Sequence, residues 1–155
     1  MKKSFALFYI LFLSSLLISC GQSDYSDSNG VNGNFSDHHG QWMIINYWAT
    51  WCKPCIKEIP ELNDFANTHA EQVVLFGIDF DNAQGEKLQQ AITKLGIEFT
   101  VLNNDPANIL GYERPTVLPT TLIFNPTGKL HRTLLGPQTA QNLLQVISDD
   151  EQRQQ

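Results

Sequence analysis

The hydrophobic pattern divides the chain into short apolar runs that alternate with segments of helical periodicity. Runs rich in β-branched and aromatic residues are typical of buried strands. They cover residues 42–48, 73–80, 100–102, 120–124 and 129–135. Apolar residues that recur every three or four positions indicate helices. These segments are 54–69, 85–95 and 139–147, with a helical turn expected within 105–111.

The order of these elements predicts the fold class. Strands and helices alternate first, and two strands and a closing helix follow. The turn chemistry of residues 125–128 predicts that the last two strands form a hairpin. This order indicates an α/β fold with a central mixed β-sheet flanked by helices on both faces. Pro60 is expected to kink the first helix.

The first 19 residues have the pattern of a lipoprotein signal peptide. A positively charged start is followed by an apolar run that is shorter than the roughly 20 residues of a membrane span. The run ends in Leu17-Ile18-Ser19-Cys20, which resembles the lipobox of bacterial lipoproteins. This resemblance implies lipidation of Cys20 and an anchor on the extracytoplasmic (periplasmic) side of a bacterial membrane. A plain signal peptide with an incidental cysteine is the alternative.

Composition and charge complete the domain organisation. Residues 20–34 are rich in Ser, Asn, Asp and Gly and are predicted to form a flexible tether. Residues 35–150 are the predicted folded domain, and 151–155 a disordered tail. Removal of the signal peptide would change the net charge from −6 to −8, since it takes away two lysines and no acidic residue. Such an acidic protein is a poor candidate for nucleic-acid binding.

The candidate chemistry lies in Cys52-Lys53-Pro54-Cys55, between a predicted buried strand and a predicted helix. Cys52 is expected at the helix N-terminus, where unpaired backbone donors favour a reactive thiolate. Cys55 would lie within one turn, so that it could attack a mixed disulfide on Cys52 and release a reduced partner. A zinc half-site is an alternative, but zinc needs about four ligands and the histidines lack ligand spacing. A structural disulfide would close too short a loop to add much stability.

Two separated motifs resemble those of one family. Residues 46–62, from Asn46 through Trp51-Cys52-Lys53-Pro54-Cys55 to Leu62, resemble the active-site signature of the thioredoxin-like TlpA/ResA group. Residues 117–129 resemble its second hallmark. The resemblance covers about residues 40 to 148. It implies a thioredoxin fold and an exported or membrane-tethered thiol–disulfide oxidoreductase without a cofactor.

The resemblance also implies roles around the cysteines. Cys52 matches the exposed nucleophile and Cys55 the buried resolving thiol. Glu58 matches an acidic residue that could accept the proton of Cys55. A solvated helix glutamate is the alternative reading of Glu58. Plain thioredoxins carry a buried Asp where this chain has Asn46, which leaves Glu58 as the better candidate base.

A substrate-docking surface is implied as well. Pro119 matches a cis-proline, and the loop that it forms with Leu118 is expected to pair with an extended segment of the substrate protein. A trans turn proline is the alternative. Trp51 is expected to contribute to the same surface. The N-terminal hairpin of the family has only about residues 35–41 available here, so this region is expected to be reduced.

The predicted function is an extracytoplasmic enzyme that exchanges disulfides with exported proteins. Family analogy favours a reductant, for example in cytochrome c maturation, supplied with electrons by a membrane thiol-transfer protein of the DsbD/CcdA type. A disulfide oxidase or isomerase on the same fold is the first alternative. A copper-handling lipoprotein is the second, although a cis-proline at residue 119 would obstruct a metal. No Pro-x-x-x-Thr-x-x-Cys pattern precedes Cys52, which argues against a peroxidase.

Overall fold

A computed structural model describes residues 23–153. The strands are β1 (Tyr25–Ser26), β2 (Asn32–Gly33), β3 (Trp42–Trp48), β4 (Val73–Asp79), β5 (Thr100–Val101), β6 (Thr120–Phe124) and β7 (Leu130–Leu135). The α-helices are α1 (Lys53–Thr68), α2 (Glu86–Leu95), α3 (Ala107–Leu110) and α4 (Ala140–Arg153). A 3₁₀ turn spans Phe35–His38. No helix in this described range is long and apolar enough to cross a membrane.

Five strands form a mixed sheet in the order β5-β4-β3-β6-β7. The strands β3, β4 and β5 run parallel to one another, whereas β6 pairs antiparallel with both β3 and β7. The predicted hairpin of the last two strands is therefore confirmed. The register of β3 and β6 places Tyr47 opposite Thr120. The C-terminal end of β3 and the start of β6 therefore meet at one edge of the sheet.

The central strand β3 divides the core into two parts. All seven of its residues are buried, because it has a neighbouring strand on each side and a core cluster on each face. Ile44 and Trp48 belong to the cluster that includes both active-site cysteines and residues of α1, α2 and α4. Ile45 and Tyr47 belong to the cluster on the other face, as the alternation of side chains along a strand requires.

Helix α1 follows the prediction closely and runs without interruption past Pro60. Its apolar face differs at one position, because Ile56 is 39% exposed. Cys55, Glu58 and Ile59 occupy the buried positions of that first part of the helix. These three residues recur at the spacing of one helix face, and Ile56 is turned away from it.

The N-terminal boundary of the domain is a correction to the sequence prediction. Strands β1 and β2 form an antiparallel hairpin inside the segment predicted to be a tether. The Tyr25 ring packs against Phe35 and Phe76, and Ser28 N donates to Val101 O of the edge strand β5. The polar composition concealed this hairpin, because one aromatic ring, backbone hydrogen bonds and polar side chains such as Asp27 hold it. A hairpin therefore does precede the first core strand and contacts β5. The predicted signal peptide and Cys20 lie outside the described residues.

The C-terminal boundary also differs. Helix α4 continues through Arg153, into the segment predicted to be a disordered tail. The apolar periodicity that predicted this helix ends at Ile147, but polar helix formers prolong it at no cost to the core. Residues 154 and 155 lie outside the described residues.

Candidate active site

The two cysteines of the motif are joined by a disulfide at the N-terminus of α1. Cys52 is the N-cap residue, and its Sγ accepts a hydrogen bond from Cys55 N at 3.2 Å. The backbone oxygen of Cys52 accepts a hydrogen bond from Ile56 N. The sulfur of Cys52 thus faces the unpaired donors of the first helical turn, where negative charge is favoured.

The exposure of Cys52 corrects an expectation. Cys55 is fully buried, as predicted, but Cys52 is only 4% exposed rather than open to solvent. Its side chain is turned back over the first helical turn by the disulfide and by the hydrogen bond from Cys55 N. In this oxidised form both sulfurs therefore belong to the core cluster.

Glu58 lies one turn after Cys55 on the same buried face of α1. It is 2% exposed, which excludes the alternative of a solvated helix glutamate. Its Oε1 accepts from Asn46 Nδ2 at 2.9 Å, and its Oε2 accepts from Gln138 N at 2.8 Å. Burial raises the pKa of Glu58 above the ordinary value of 4.5, and these two hydrogen bonds oppose the rise. A carboxylate whose pKa is raised is a stronger proton acceptor than that of an exposed glutamate.

The proline expected to be cis is cis in the structure. The peptide bond Leu118–Pro119 has this geometry, and Pro119 is buried immediately before β6. Because Thr120 pairs with Tyr47 of β3, the loop lies at the sheet edge from which the chain continues to Cys52. Leu118 is half-buried and packs against the core cluster that contains both cysteines.

Trp51 provides an exposed apolar surface beside the disulfide, with 61% of its area accessible. Its indole Nε1 donates to Asp81 Oδ2 at 2.8 Å, and its ring meets Phe80 edge to face. The Arg114 guanidinium lies 4.5 Å from the centre of the Phe80 ring. These contacts fix the orientation of a side chain that faces solvent. Val117, on the cis-proline loop, is also exposed.

Several of these contacts could not be found from the sequence. Asn46 was recognised only as a departure from plain thioredoxins, and its hydrogen bond to Glu58 depends on the pairing of β3 with α1. Gln138 contributes through its backbone, which carries no sequence signal. Phe80 ends a predicted strand and Asp81 follows it, and that position alone could have suggested a place near the active site.

The comparisons with known proteins agree with this geometry. A family model described as the AhpC/TSA family matches residues 22–133. The chain belongs to the AhpC/TSA family. Among curated relatives, the thiol-disulfide oxidoreductase ResA of Bacillus anthracis is 29% identical over 119 residues, which are 76% of this chain and 68% of that protein. The ResA of Bacillus subtilis is 28% identical over 114 residues, 73% of this chain and 63% of that protein.

Solved structures place this family member on the same fold. StoA of Bacillus subtilis superposes with a TM-score of 0.65 at 23% identity, over 79% of this chain and 93% of StoA. An exposed lipoprotein thioredoxin of Streptococcus pneumoniae gives a TM-score of 0.69 at 21% identity, over 81% and 96% of the two chains. The predicted thioredoxin fold is confirmed, and so is the predicted class, a thiol–disulfide oxidoreductase similar to ResA.

Proposed function

We propose that this AhpC/TSA family member is an extracytoplasmic reductant of disulfides in exported proteins. The observation that carries the proposal is the Cys52–Cys55 disulfide at the N-terminus of α1, with the buried Glu58 one turn further on the same face. A reactive thiol, a resolving thiol and a proton acceptor are thereby assembled on one short segment. The exposed Trp51 and the cis-proline loop supply a surface for a protein substrate.

The reaction has two steps that conserve electrons. In the reduced enzyme, the Cys52 thiolate attacks a substrate disulfide, forms a mixed disulfide and expels one substrate thiolate. Glu58 then accepts the proton of the Cys55 thiol, and the Cys55 sulfur attacks Sγ of Cys52. The second substrate thiolate leaves, and the enzyme ends in the disulfide form of this structure. Two electrons pass to the substrate, whose two thiolates take up protons.

Substrate recognition is assigned to the edge where the loop before β6 meets Cys52. Backbone groups of Leu118 and Pro119 are proposed to pair with an extended segment of the substrate. The indole of Trp51 adds apolar contact on the solvent side of the cysteines. The haem-attachment cysteines of an apocytochrome c are a substrate of suitable chemistry, because they lie in an extended Cys-x-x-Cys segment and must be reduced before haem is attached.

The cellular position follows from the N-terminal sequence. Lipid on Cys20 would hold the domain at the outer face of a bacterial membrane, where no soluble reducing pool keeps thiols reduced. Residues 23–153 form no second domain that could supply electrons, and a membrane thiol-transfer protein of the DsbD/CcdA type is the proposed electron source. The solved exposed lipoprotein of Streptococcus pneumoniae shows that the same fold occurs in lipoproteins.

The direction of electron flow is tested by the reduction potential of the Cys52–Cys55 pair. Equilibration with glutathione or thioredoxin redox buffers and thiol alkylation would give this value. A reductant should lie near −270 mV, the region of reducing thioredoxins. A value near −120 mV, that of a strong oxidant, would contradict the reductant role and favour the oxidase.

Membrane anchoring is tested separately with the full-length chain in a bacterial host. Metabolic labelling with a palmitate analogue should mark the wild-type protein and leave Cys20→Ala unlabelled, and the variant should leave the membrane fraction. Cys52→Ala is the matched control, because it removes a different cysteine and should retain the label. Equal labelling of the wild type and the Cys20→Ala variant would contradict the anchor.

A further inference from the structure

Asn46 is the residue that links the central strand to the proposed base. Its Nδ2 donates both to Glu58 Oε1 at 2.9 Å and to Thr121 Oγ1 at 3.1 Å. All three residues are buried, with Asn46 and Thr121 completely inaccessible. The β3–β6 register places Asn46 directly opposite Thr121, so the strand pairing itself holds the amide in place.

The oxygen of the Asn46 amide indicates why a polar side chain occupies this position. Within the described residues, Asn46 Oδ1 is buried and accepts no hydrogen bond. An unpaired buried carbonyl oxygen costs free energy, and an apolar side chain of similar size would avoid that cost. The two hydrogens of Nδ2 are both used, whereas the oxygen is not. The Asn46 amide therefore acts as a hydrogen-bond donor, and of its two acceptors the ionisable one is the Glu58 carboxylate.

We propose that Asn46 is a positioning residue for disulfide exchange, which orients the Glu58 carboxylate and keeps it available as a base. This inference rests on the proposed function, in which Glu58 takes the proton of Cys55. An aspartate at residue 46 could not do the same, because a carboxylate cannot donate to a carboxylate. The backbone donor Gln138 N holds Oε2, so Asn46 alone among the described side chains pairs with Oε1.

Among the described residues, no other charged group is a cause of the shift in the pKa of Glu58. Strands β3 and β6 carry no charged residue, and Tyr47 of β3 packs in the opposite core cluster. On α1, Glu61 Oε2 accepts from Ala140 N at 3.4 Å, and the two cysteines are joined to each other. From β7 and α4, His131 Nδ1 and Asp150 Oδ1 lie 3.3 Å apart. The contacts that lower the pKa of Glu58 are those from Asn46 and Gln138.

The test uses the oxidised protein, in which the cysteines do not titrate. Carboxyl ¹³C NMR of Glu58 across pH gives its midpoint in the wild type and in Asn46→Leu. Loss of one hydrogen bond to a charged group should raise the midpoint by about one to two pH units. Asn46→Asp should raise it at least as far, because it adds a second buried carboxylate. A midpoint that stays within about 0.3 unit of the wild-type value in a folded variant would overturn the proposal, since that is far below the shift expected for a lost charged hydrogen bond.

Asn63→Leu is the matched control, because Asn63 is a second buried asparagine and lies on α1 rather than on β3. Its side chain pairs with Gly96 O and Glu98 N, away from the cysteines. This variant should lose stability without moving the Glu58 midpoint. An equal shift in both variants would mean general loosening of α1 and would overturn the positioning role.

Two further measurements test the positioning role of Asn46 separately from the proposed function. If Asn46→Leu does not fold, the side-chain N–H signals of Asn46 in the wild-type protein should move with the Glu58 midpoint, and fixed signals would overturn the proposal. The rate at which Cys55 resolves a mixed disulfide should fall about tenfold or more in Asn46→Leu below the shifted midpoint and recover above it. If Glu58→Gln slows this step but Asn46→Leu does not, the positioning role fails and the proposed function stands. If Glu58→Gln has no effect, the base assignment fails instead.

Discussion

Two buried carboxylates lie near the active-site edge of the sheet, and they differ in how the fold uses them. Glu58 accepts hydrogen bonds from Asn46 of β3 and from Gln138 before α4, both far away in the sequence. Asp79 ends β4 and accepts from Ala83 N, within its own loop. Burial is the largest cause of a raised pKa in both. A raised pKa alone therefore does not identify a base, and the neighbours of each carboxylate are what distinguish the two.

The surroundings of the two carboxylates support this distinction. Asp79 has charged neighbours, Asp81 and Arg114, whose effects on its pKa oppose each other. Its short hydrogen bond of 2.7 Å to Ala83 N closes the turn that leads towards α2. Glu58 instead shares its helix face with the fully buried Cys55. We infer that Asp79 shapes a loop and that Glu58 takes part in proton transfer.

The largest difference is expected in the rate of disulfide exchange. Glu58→Gln should slow the attack of Cys55 on a Cys52 mixed disulfide by about 100-fold at pH 7, the usual contribution of a general base. Asp79→Asn should leave that rate within about threefold, since a loop hydrogen bond does not enter the proton transfer. Stopped-flow release of thionitrobenzoate from the mixed disulfide measures both. Equal slowing in the two variants would contradict the assignment of Glu58, rather than Asp79, to proton transfer.

The second expected effect is on stability, and it concerns Asp79. Asp79→Ala should lower the free energy of unfolding by about 1–3 kcal/mol, because the Ala83 N–H loses its acceptor. Asp64→Ala, an exposed position on α1, is the control and should stay within about 0.5 kcal/mol. Urea denaturation of the oxidised proteins gives these values. A loss at residue 79 no greater than that of the control would contradict a loop-closing role.

A smaller effect is expected in the pH dependence of stability. Each carboxyl binds its proton more tightly in the folded than in the unfolded chain, because burial raises its pKa. Each therefore contributes stability that is full below its ordinary pKa, 4.5 for Glu58 and 3.8 for Asp79, and is lost as pH rises through the folded pKa. Relative to Glu58→Gln or Asp79→Asn, the wild type should gain stability as the pH falls from 7 to about 4. Urea titrations across this range that show parallel curves would contradict the raised pKa values.

The smallest effect is expected at the docking surface, where Asp81 accepts a hydrogen bond from Trp51. Asp81→Ala removes the acceptor that fixes the Trp51 indole, but this contact is exposed. Exposed charged contacts contribute little, so KM for a protein disulfide should rise by less than about fivefold and kcat should not change. Trp51→Ala should raise KM further, because it removes the apolar surface as well. Turnover with oxidised insulin as the substrate measures both constants, and a fall in kcat alone would contradict a docking role.

The sequence was informative about the fold wherever apolar periodicity was strong. The core strands, the first two long helices and the hairpin of β6 and β7 follow directly from it. It failed for β1 and β2, which are held mainly by backbone hydrogen bonds that leave no apolar pattern. The helix end at Arg153 was missed for a related reason, because its last turns are polar.

For the candidate site, the motifs gave the residues but not their environment. The disulfide and the cis bond before Pro119 agree with the expectations from the family resemblance, and the burial of Glu58 excludes the solvated alternative. The partners of Glu58 depend on how β3 and the segment before α4 pack against α1, and this is a property of the tertiary structure. The burial of Cys52 likewise depends on how its side chain packs in the folded chain and could not be inferred from its position in the motif.

The central claim is that Cys52 forms mixed disulfides with exported proteins and that Cys55 resolves them. The most direct measurement is mass spectrometry of partners trapped by Cys55→Ala, expressed as the full-length chain in a bacterial host. We expect exported proteins that carry paired cysteines, joined through Cys52 and released by dithiothreitol, and none with the control Cys52→Ala/Cys55→Ala. Absence of mixed disulfides on Cys52, with the variant folded and exported, would contradict the account.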